Sequence, residues 1–349
     1  MKAKIFLFFL VFFLLACKKQ SAETPVSTAN VISERIRYQK NNGVLELKSG
    51  QFSYRIPEAK LPFKKVMLLN SSLTGYLLEL GVEDKITGIS SPEYIYSDKI
   101  SKRIQQGKIL DIGNEQKYNI EKILSEKPDA VFTNYIQTFE NTYDLLKKNG
   151  VEVIFIDEYL EQQPLQKAGI IEVFGVLLGK EKEAAAIYSS IGSRYRNLVS
   201  EASKTKERPI VLANEMYGNQ WFLPGGKTFV AHYFKDAAAD YILKNNTQEN
   251  SIPMSFEEVF VKSEKAQYWM NLGDHTTKKE LLQINPNYAK MNIYRTGKLY
   301  SLSGAVRGSA NDAFESGAVR ADVVLKDYIK VFHPELFPGY QTVYLKEIR

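Results

Sequence analysis

The chain has 349 residues, a hydrophobic content of 44% and a formal net charge of +6. This length suits one large or two medium domains, because domains commonly contain about 100–150 residues. The charge is small and the lysines and arginines are scattered, so the sequence gives no support to nucleic-acid binding. Cys17 is the single cysteine, which excludes internal disulfides, Cys-ligated zinc sites and iron–sulfur clusters.

Residues 1–16 have the pattern of a secretory signal peptide. Lys2 and Lys4 precede an unbroken apolar run, and Ala16 stands just before Cys17. The apolar run is about half of the roughly 20 residues that a membrane-spanning helix needs. With cysteine at the cleavage point the segment resembles a bacterial lipoprotein lipobox, which implies that Cys17 is acylated and becomes the mature N-terminus. The alternatives are a plain signal peptide with a chance cysteine, or an uncleaved anchor.

Residues 17–62 are predicted to form the lipidated tether and a β-hairpin. Positions 18 to about 30 are small and polar, which is typical of a flexible linker. Over 43–56 apolar and polar residues alternate on both sides of Ser49 and Gly50, and this period of two predicts a pair of antiparallel strands. Because a signal peptide directs export and Cys17 is expected to carry lipid, the remainder of the protein is expected on the periplasmic side of the cell envelope, held to the membrane by that lipid.

Residues 63–162 are predicted to form an N-terminal lobe in which short buried strands alternate with helices that end near glycine. Strands that alternate with helices indicate an α/β fold with a parallel sheet covered on both faces. The predicted strands are 66–69, 86–89, 130–132 and 151–156, and the predicted helices are 73–80, 119–126 and 140–149.

The same order returns in a C-terminal lobe over 208–349, after connecting helices over 163–207. The connector is helical apart from a break at 178–180, and its first part is apolar on more than one side, as a helix that braces two lobes would be. In the second lobe the predicted strands are 209–212, 268–270 and 298–300, and the predicted helices are 228–238, 256–261 and 318–332.

One pair of segments shows the duplication most clearly. Asn119 and Ser255 are predicted N-caps, and each is followed at the second helical position by a glutamate, Glu121 or Glu257. The apolar residues of both helices face inward, so both glutamates point outward. Structure alone could explain them, because carboxylates stabilise helix N-termini by about 0.3–1 kcal/mol and Ser255 with Glu258 forms a capping box.

Six short segments, taken in this order, resemble the iron-chelate and cobalamin binding family of ABC-importer substrate-binding proteins. The segments are 69–72, 86–89, 119–121, 127–131, 179–184 and 255–257. The resemblance covers about residues 63–336 and implies two Rossmann-like lobes joined by a long rigid helix, the class III solute-binding architecture. It also implies a monomeric, non-enzymatic receptor in which Glu121 and Glu257 dock onto arginines of the ABC permease. A braced connector implies small closure motions.

The ligand site is expected between the lobes, because parallel sheets bind ligands outside the carboxyl ends of their strands. Flat aromatic side chains suit a large ring or a catechol-like ligand, and arginine suits anionic groups. An iron-siderophore, a haem-like ligand and cobalamin are all compatible with such residues. The candidate ligand-binding residues are Ser71, Ser72, Tyr94, Tyr96, Tyr135, Tyr217, Trp221, Arg307 and Asn311. For each one an ordinary loop side chain is the alternative, and Trp269 is expected in a buried strand.

Three other functions stay open as alternatives. A zinc or manganese receptor needs several histidines in the cleft, and His232, His275 and His333 are the whole supply. A secreted carboxylate-dependent glycosidase leaves no local motif, although serine-hydrolase and zincin motifs are lacking. A purely structural surface lipoprotein is the third. The segment 225–228 lacks the first glycine of a phosphate-binding loop and is predicted to be a turn. No cofactor, catalytic residue or metal ligand is predicted.

Overall fold

The computed structural model describes residues 29–349. The predicted signal peptide, Cys17 and positions 18–28 of the tether lie outside the described residues. Within 29–349, none of the helices combines the length and the apolar character that crossing a membrane requires.

The predicted N-terminal hairpin is half of a four-stranded antiparallel sheet with the spatial order β1-β2-β3-β4. Its strands are β1 (Asn30–Val31), β2 (Ile36–Asn41), β3 (Val44–Ser49) and β4 (Phe52–Pro57). The prediction of β3 and β4 is confirmed, but it was incomplete. In β2 only Ile36 and Tyr38 are apolar, so the period of two is too weak to recognise from sequence.

The N-terminal lobe has the α/β order that the sequence predicts. Its elements are β5 (Val66–Leu68), α1 (Thr74–Glu79), β6 (Ile86–Ile89), α2 (Asp98–Gln105), β7 (Leu110–Asp111), β8 (Gly113–Asn114), β9 (Lys117–Tyr118), α3 (Ile120–Glu126), β10 (Ala130–Thr133), α4 (Glu140–Lys148) and β11 (Glu152–Phe155). Five parallel strands form one sheet in the order β11-β10-β5-β6-β7. The three residues of β5 are fully buried, as a strand covered on both faces must be.

The N-terminal sheet packs against the edge strand of this lobe. The backbone N–H of Phe155 in β11 donates to Tyr54 Oη at 2.9 Å. The Phe52 ring lies 4.4 Å from the ring of Phe155 and 5.0 Å from that of Tyr135. An edge strand offers unpaired backbone groups that invite aggregation, and covering them is one way in which proteins protect such an edge.

The connector consists of two helices, α5 (Pro164–Leu178) and α6 (Glu181–Ala202), joined at the break that the sequence predicts. Gly179 ends α5 in the left-handed region with φ +76°, which glycine adopts without steric cost. The helices approach so closely that a Cβ on Gly175 would lie 2.5 Å from Ala184 Cβ. Most of α5 is buried between the lobes, so it braces them.

The C-terminal lobe repeats the arrangement with insertions. Its elements are β12 (Ile210–Ala213), β13 (Met216–Tyr217), β14 (Gln220–Pro224), α7 (Phe229–Asp236), β15 (Asp240–Tyr241), β16 (Ser251–Met254), α8 (Phe256–Lys262), β17 (Tyr268–Leu272), α9 (Lys278–Ile284), α10 (Asn292–Thr296), β18 (Lys298–Ser301), β19 (Val306–Arg307), β20 (Ala310–Asn311), α11 (Ala321–Phe332) and β21 (Lys346–Ile348). The main sheet has the order β15-β12-β17-β18-β21, with β21 antiparallel at the edge.

A second, three-stranded sheet in the order β13-β14-β16 follows the carboxyl end of β12. The turn after β14 contains the two glycines that suggested a phosphate-binding loop. A Cβ on Gly225 would lie 2.3 Å from Gln248 O, and one on Gly226 would lie 2.1 Å from Asn246 O. The glycines therefore let two backbone segments pack together, which confirms the interpretation of this segment as a structural turn.

Candidate functional site

Two adjoining cavities lie between the lobes, at the carboxyl ends of the strands. The outer cavity has a volume of about 590 Å³ and the inner cavity about 420 Å³. Both are lined by Asn271, Leu302 and Phe314, so they form one continuous cleft. Volumes of this size fall within the range of about 300–1,000 Å³ that is usual for small-molecule sites.

The N-terminal lobe contributes the loop that follows β5. The side-chain oxygen of Asn70 accepts from the N–H of Ser72 at 3.0 Å, which caps the turn at 71–73. This cap presents Ser71 to the outer cavity and Ser72 to the inner one. Ser72 Oγ in turn donates to Glu158 Oε1 at 2.6 Å. A local hydrogen-bonding motif thus places two of the predicted ligand residues in the cleft.

Glu158 and Lys167 bring opposite charges to the inner cavity. Glu158 is 4% exposed, and its Oε2 has no hydrogen-bond partner among the described residues. The Nζ of Lys167 lies 4.6 Å from the ring centroid of Phe229. Burial lowers the pKa of Lys167, while the nearby charge of Glu158 opposes that change. The inner cavity therefore holds an unused acceptor and a cation in a poorly hydrated place.

An interlobe clasp lies beside the outer cavity, which its member Glu315 lines. It consists of Tyr96, Ser97 and Asp98 on one lobe and Arg307 and Glu315 on the other. The carboxylate of Glu315 accepts from the N–H of Tyr96 at 2.8 Å and from that of Ser97 at 3.0 Å. The guanidinium of Arg307 donates to Asp98 Oδ1 and to the carbonyl of Tyr96, and lies 5.3 Å from the Tyr96 ring centroid.

Burial makes the Glu315 carboxyl group of the clasp a weaker acid than an exposed glutamate. Desolvation of Glu315, which is 4% exposed, raises its pKa to about 7, and the neighbouring charge of Asp312 acts in the same direction. The hydrogen bonds from Tyr96 and Ser97 and the charge of Arg307 oppose that rise without cancelling it. Glu315 therefore changes its protonation state near neutral pH.

The backbones of the two lobes also touch beside the clasp. A Cβ on Gly75 of α1 would lie only 2.0 Å from the carbonyl oxygen of Glu315. The side chain of Tyr76 donates to Lys167 O at 2.9 Å and lies 3.3 Å from Ala318 O. The lobes are thus held together in this arrangement by buried backbone contacts as well as by charged side chains.

Six of the nine predicted ligand residues lie at the cleft or at its clasp. Ser71, Tyr94 and Asn311 line the outer cavity, and Ser72 lines the inner one. Tyr96 and Arg307 take part in the clasp instead of facing a cavity directly.

The structure places the other three of the nine outside both cavities, and for Trp221 it corrects the prediction. Trp221 is completely buried, stacks on Trp269 at 5.4 Å and donates from Nε1 to Ala213 O at 3.0 Å. It is a core residue, because the alternation along β14 turns it inward. Tyr135 packs in the aromatic cluster with Phe52. Tyr217 is 83% exposed at the turn of the three-stranded sheet and lines neither cavity. The expected burial of Trp269 is confirmed.

Four residues that line the cavities were not predicted from the sequence: Glu158, Tyr159, Lys167 and Phe314. Glu158 and Tyr159 follow the carboxyl end of β11, so the rule used for the other loops could have found them. Lys167 lies on the apolar helix α5, where the sequence predicts a purely structural role. Phe314 is 61% exposed in the cleft, which its sequence neighbours do not signal.

Glu121 and Glu257 occupy equivalent positions in the two lobes. Both are exposed in the first turn of their helices, α3 and α8. Asn119 accepts from the N–H of Lys122 and Ser255 from that of Glu258, so other side chains cap both helices. The predicted capping box of Ser255 and Glu258 is confirmed. The role of the two glutamates in docking stays a prediction.

The three histidines lie apart. His232 contacts Gln163 and Thr228 O, His275 pairs with Glu215 at 2.9 Å, and His333 is buried near Ala238 O. Within residues 29–349, no group of three or more His, Cys, Asp or Glu side chains is arranged to hold a metal ion.

Two α/β lobes that face each other across a cleft, with a braced helical connector, define a bilobal solute-binding protein. The chain belongs to the periplasmic binding protein family, whose sequence model matches residues 66–305. An uncharacterized lipoprotein of Methanocaldococcus jannaschii is 23% identical over 292 residues, which are 81% of this chain and 68% of that protein. A second uncharacterized protein of that organism is 22% identical, covering 85% of this chain and 88% of its own.

Solved structures share the fold. A periplasmic haem-binding protein from Pseudomonas aeruginosa has a TM-score of 0.60 and 18% identity, covering 82% of this chain and 98% of its own. A Helicobacter pylori protein with Ni(II) bound has a TM-score of 0.63 and 16% identity, and the match covers 85% of this chain and 91% of that protein. An ABC transporter substrate-binding protein from Listeria monocytogenes has a TM-score of 0.56 and 17% identity, and the match covers 78% of this chain and 99% of that protein.

Proposed function

We propose that the protein is a lipid-anchored receptor that captures an iron-siderophore, haem-like or cobalamin ligand and delivers it to an ABC permease. It acts by binding and release rather than as an enzyme. The family, the haem-binding and nickel-bound neighbours and the ABC-transporter neighbour support this proposal. The lipoprotein name of a relative supports the anchor at Cys17, outside the described residues.

The observation that carries the proposal is the set of exposed aromatic side chains in the cleft. Tyr94, Tyr159 and Phe314 are 52%, 49% and 61% exposed and line the two cavities. Single exposed aromatic side chains are common on protein surfaces, but three gathered in one cleft form an apolar patch of the kind that marks a ligand-binding groove. Their flat faces suit a macrocycle or the aromatic groups of a chelate.

Ligand identity can be tested on the protein as cells make it. The full chain is extracted in detergent, and the ligand that copurifies is identified by mass spectrometry. The ligand-free protein is then titrated with haem, cyanocobalamin and ferric siderophores by calorimetry. Saturable 1:1 binding of one class, lost on replacing Tyr94 and Phe314 together by alanine, is the expected result. Failure of every class to bind would contradict the proposal.

Delivery depends on Glu121 and Glu257, which we propose meet permease arginines. Neither glutamate lines the cleft, so changing both to lysine should leave ligand affinity unchanged. Uptake should fall strongly, because removing one partner of a buried interfacial ion pair costs about 2–5 kcal/mol. Glu264→Lys makes the charge change of one of these two substitutions near the other end of α8, and is the control for a single added charge reversal. Normal uptake by the double variant would mean that these glutamates only stabilise their helices.

A further inference from the structure

The side chains around the cleft carry more acidic than basic groups. Four carboxyl groups line the cavities: Asp274 and Glu315 in the outer one, Glu158 and Asp327 in the inner one. Within residues 29–349, Lys167 is the only basic side chain that lines either cavity. A multiply anionic ligand would therefore meet acidic groups with a single cation to offset them.

Arg307, the residue expected to recognise anionic groups, is engaged elsewhere. Its guanidinium donates from Nη1 to Asp98 and from Nη2 to the carbonyl of Tyr96, which engages two of its five N–H donors. The charge of Arg307 is also paired with that of Asp98 across the clasp. The arginine therefore contributes to holding the lobes and adds little to the attraction of an anionic ligand.

The carboxyl groups differ in what they have left to offer. Asp327 accepts from the hydroxyl of Tyr340 and from the backbone N–H groups of three consecutive residues, 343–345. Glu158 uses Oε1 for Ser72, while its Oε2 has no partner among residues 29–349 although the residue is only 4% exposed. A buried carboxylate oxygen without a partner is costly, so it is a place where a ligand donor would be bound.

Glu158 and Lys167 together present one acceptor and one donor in the same small cavity. An amide offers the complementary pair, since its N–H can donate to Glu158 and its carbonyl can accept from Lys167. A carboxylate would gain the lysine but would place its charge near Glu158. The lining aromatics, including Phe229 and Tyr159, suit the apolar part of such an amide-bearing group.

We infer that the cleft selects neutral or cationic chelates whose periphery carries amide groups, inserted toward Glu158 and Lys167, and discriminates against multiply anionic chelates. Ferric hydroxamates and cobalamin fall in the selected class. Ferric tris-catecholates and haem, with its two propionates, fall in the disfavoured class. This inference rests on the proposed function and narrows its ligand.

The test compares ligands that share one core and differ in charge. For the ferric hydroxamate core the series is ferrioxamine B with its free ammonium, its N-acetyl derivative and its N-succinyl derivative. For the corrinoid core the series is cyanocobalamin and a monocarboxylic acid made by hydrolysing one propionamide. Affinities for the full-length protein are measured by calorimetry at pH 7.5 and moderate salt, beside haem and ferric enterobactin.

In whichever core binds, the anionic member should bind at least about tenfold more weakly than the neutral one, because like charges juxtaposed across an interface cost several kcal/mol. Glu158→Gln keeps the size and the Oε1 acceptor, and should reduce that ratio toward one. Glu93→Gln removes a carboxylate from an exposed position outside both cavities and should leave the ratio unchanged.

Folding of each variant is verified by its thermal unfolding transition. If Glu158→Gln folds poorly, Asp274→Asn, at an exposed position in the outer cavity, replaces it and should also reduce the ratio of neutral to anionic affinity. Binding of the anionic members as strong as that of the neutral ones or stronger, or tighter binding of haem or ferric enterobactin, would overturn the inference while leaving the proposed function intact. Binding of neither core, nor of haem, nor of enterobactin would overturn both.

Discussion

Replacing Glu315 by glutamine should change how the stability of this protein depends on pH. The carboxyl group has a pKa of about 7 in the folded protein, against 4.5 for an unperturbed glutamate. Because the pKa is raised on folding, the stabilisation that the neutral form provides is fully present below about pH 4.5. It is lost as the pH rises through 7.

The magnitude follows from the two pKa values. A difference of one between folded and unfolded pKa corresponds to about 1.4 kcal/mol, so the buried charge of Glu315 costs up to about 3 kcal/mol well above pH 7. Glutamine at 315 imitates the protonated form at every pH. The unfolding free energy of the variant should therefore exceed that of the parent protein by about 1 kcal/mol at pH 5, and this difference should grow to about 3 kcal/mol at pH 8.

The assay is urea unfolding of both proteins at pH 5, 6, 7 and 8, with the difference in unfolding free energy plotted against pH. Burial also raises the pKa values of Asp157, Glu161 and Asp327, and their contribution cancels in this difference. A flat difference for Glu315→Gln, or one of opposite sign, would refute the account of the clasp.

Three further predictions concern Gly75, Trp221 and Cys17. Gly75→Ala should destabilise the protein by about 1–3 kcal/mol in urea unfolding, because the new Cβ would collide with the Glu315 carbonyl, and unchanged stability would contradict the close approach of the lobes. Trp221→Ala should cost about 3–5 kcal/mol and Trp221→Phe clearly less, since Trp221 is a core residue, whereas equal stability would place it outside the core. Cys17→Ser should release the protein from membranes in cell fractionation without changing ligand affinity, provided that N-terminal processing is verified. A fully membrane-bound variant would contradict lipid anchoring.

The alternation of strands and helices could be predicted from the sequence because it depends on local patterns. The strand at 86–89 and the break of the connector at Gly179 were both predicted where the structure has them. Helix N-termini were also recognisable, since Asn119 and Ser255 act through hydrogen bonds within three residues. Short elements with weak periodicity, such as β2 and β21, were not recognised.

The partners of individual loop side chains could not be predicted in the same way. Trp221 and Tyr94 are both aromatic residues in loops or short strands after a main-sheet strand, yet one is buried and the other is 52% exposed in the cleft. The difference arises from the register of β14, which pairs Trp221 with Met254 of β16 and turns its side chain into the core. That pairing joins residues that are distant along the chain.

The sequence by itself determined the fold class, the two lobes, the connector and the positions of Glu121 and Glu257, because periodicity and capping are local properties. Only the tertiary structure decided that Arg307 belongs to the clasp and that Glu158 and Lys167 belong to the cleft. Those assignments depend on which charges meet across the two lobes, and on how much water burial removes from them. Neither quantity exists until segments from both lobes and the connector, up to about 200 residues apart, are packed together.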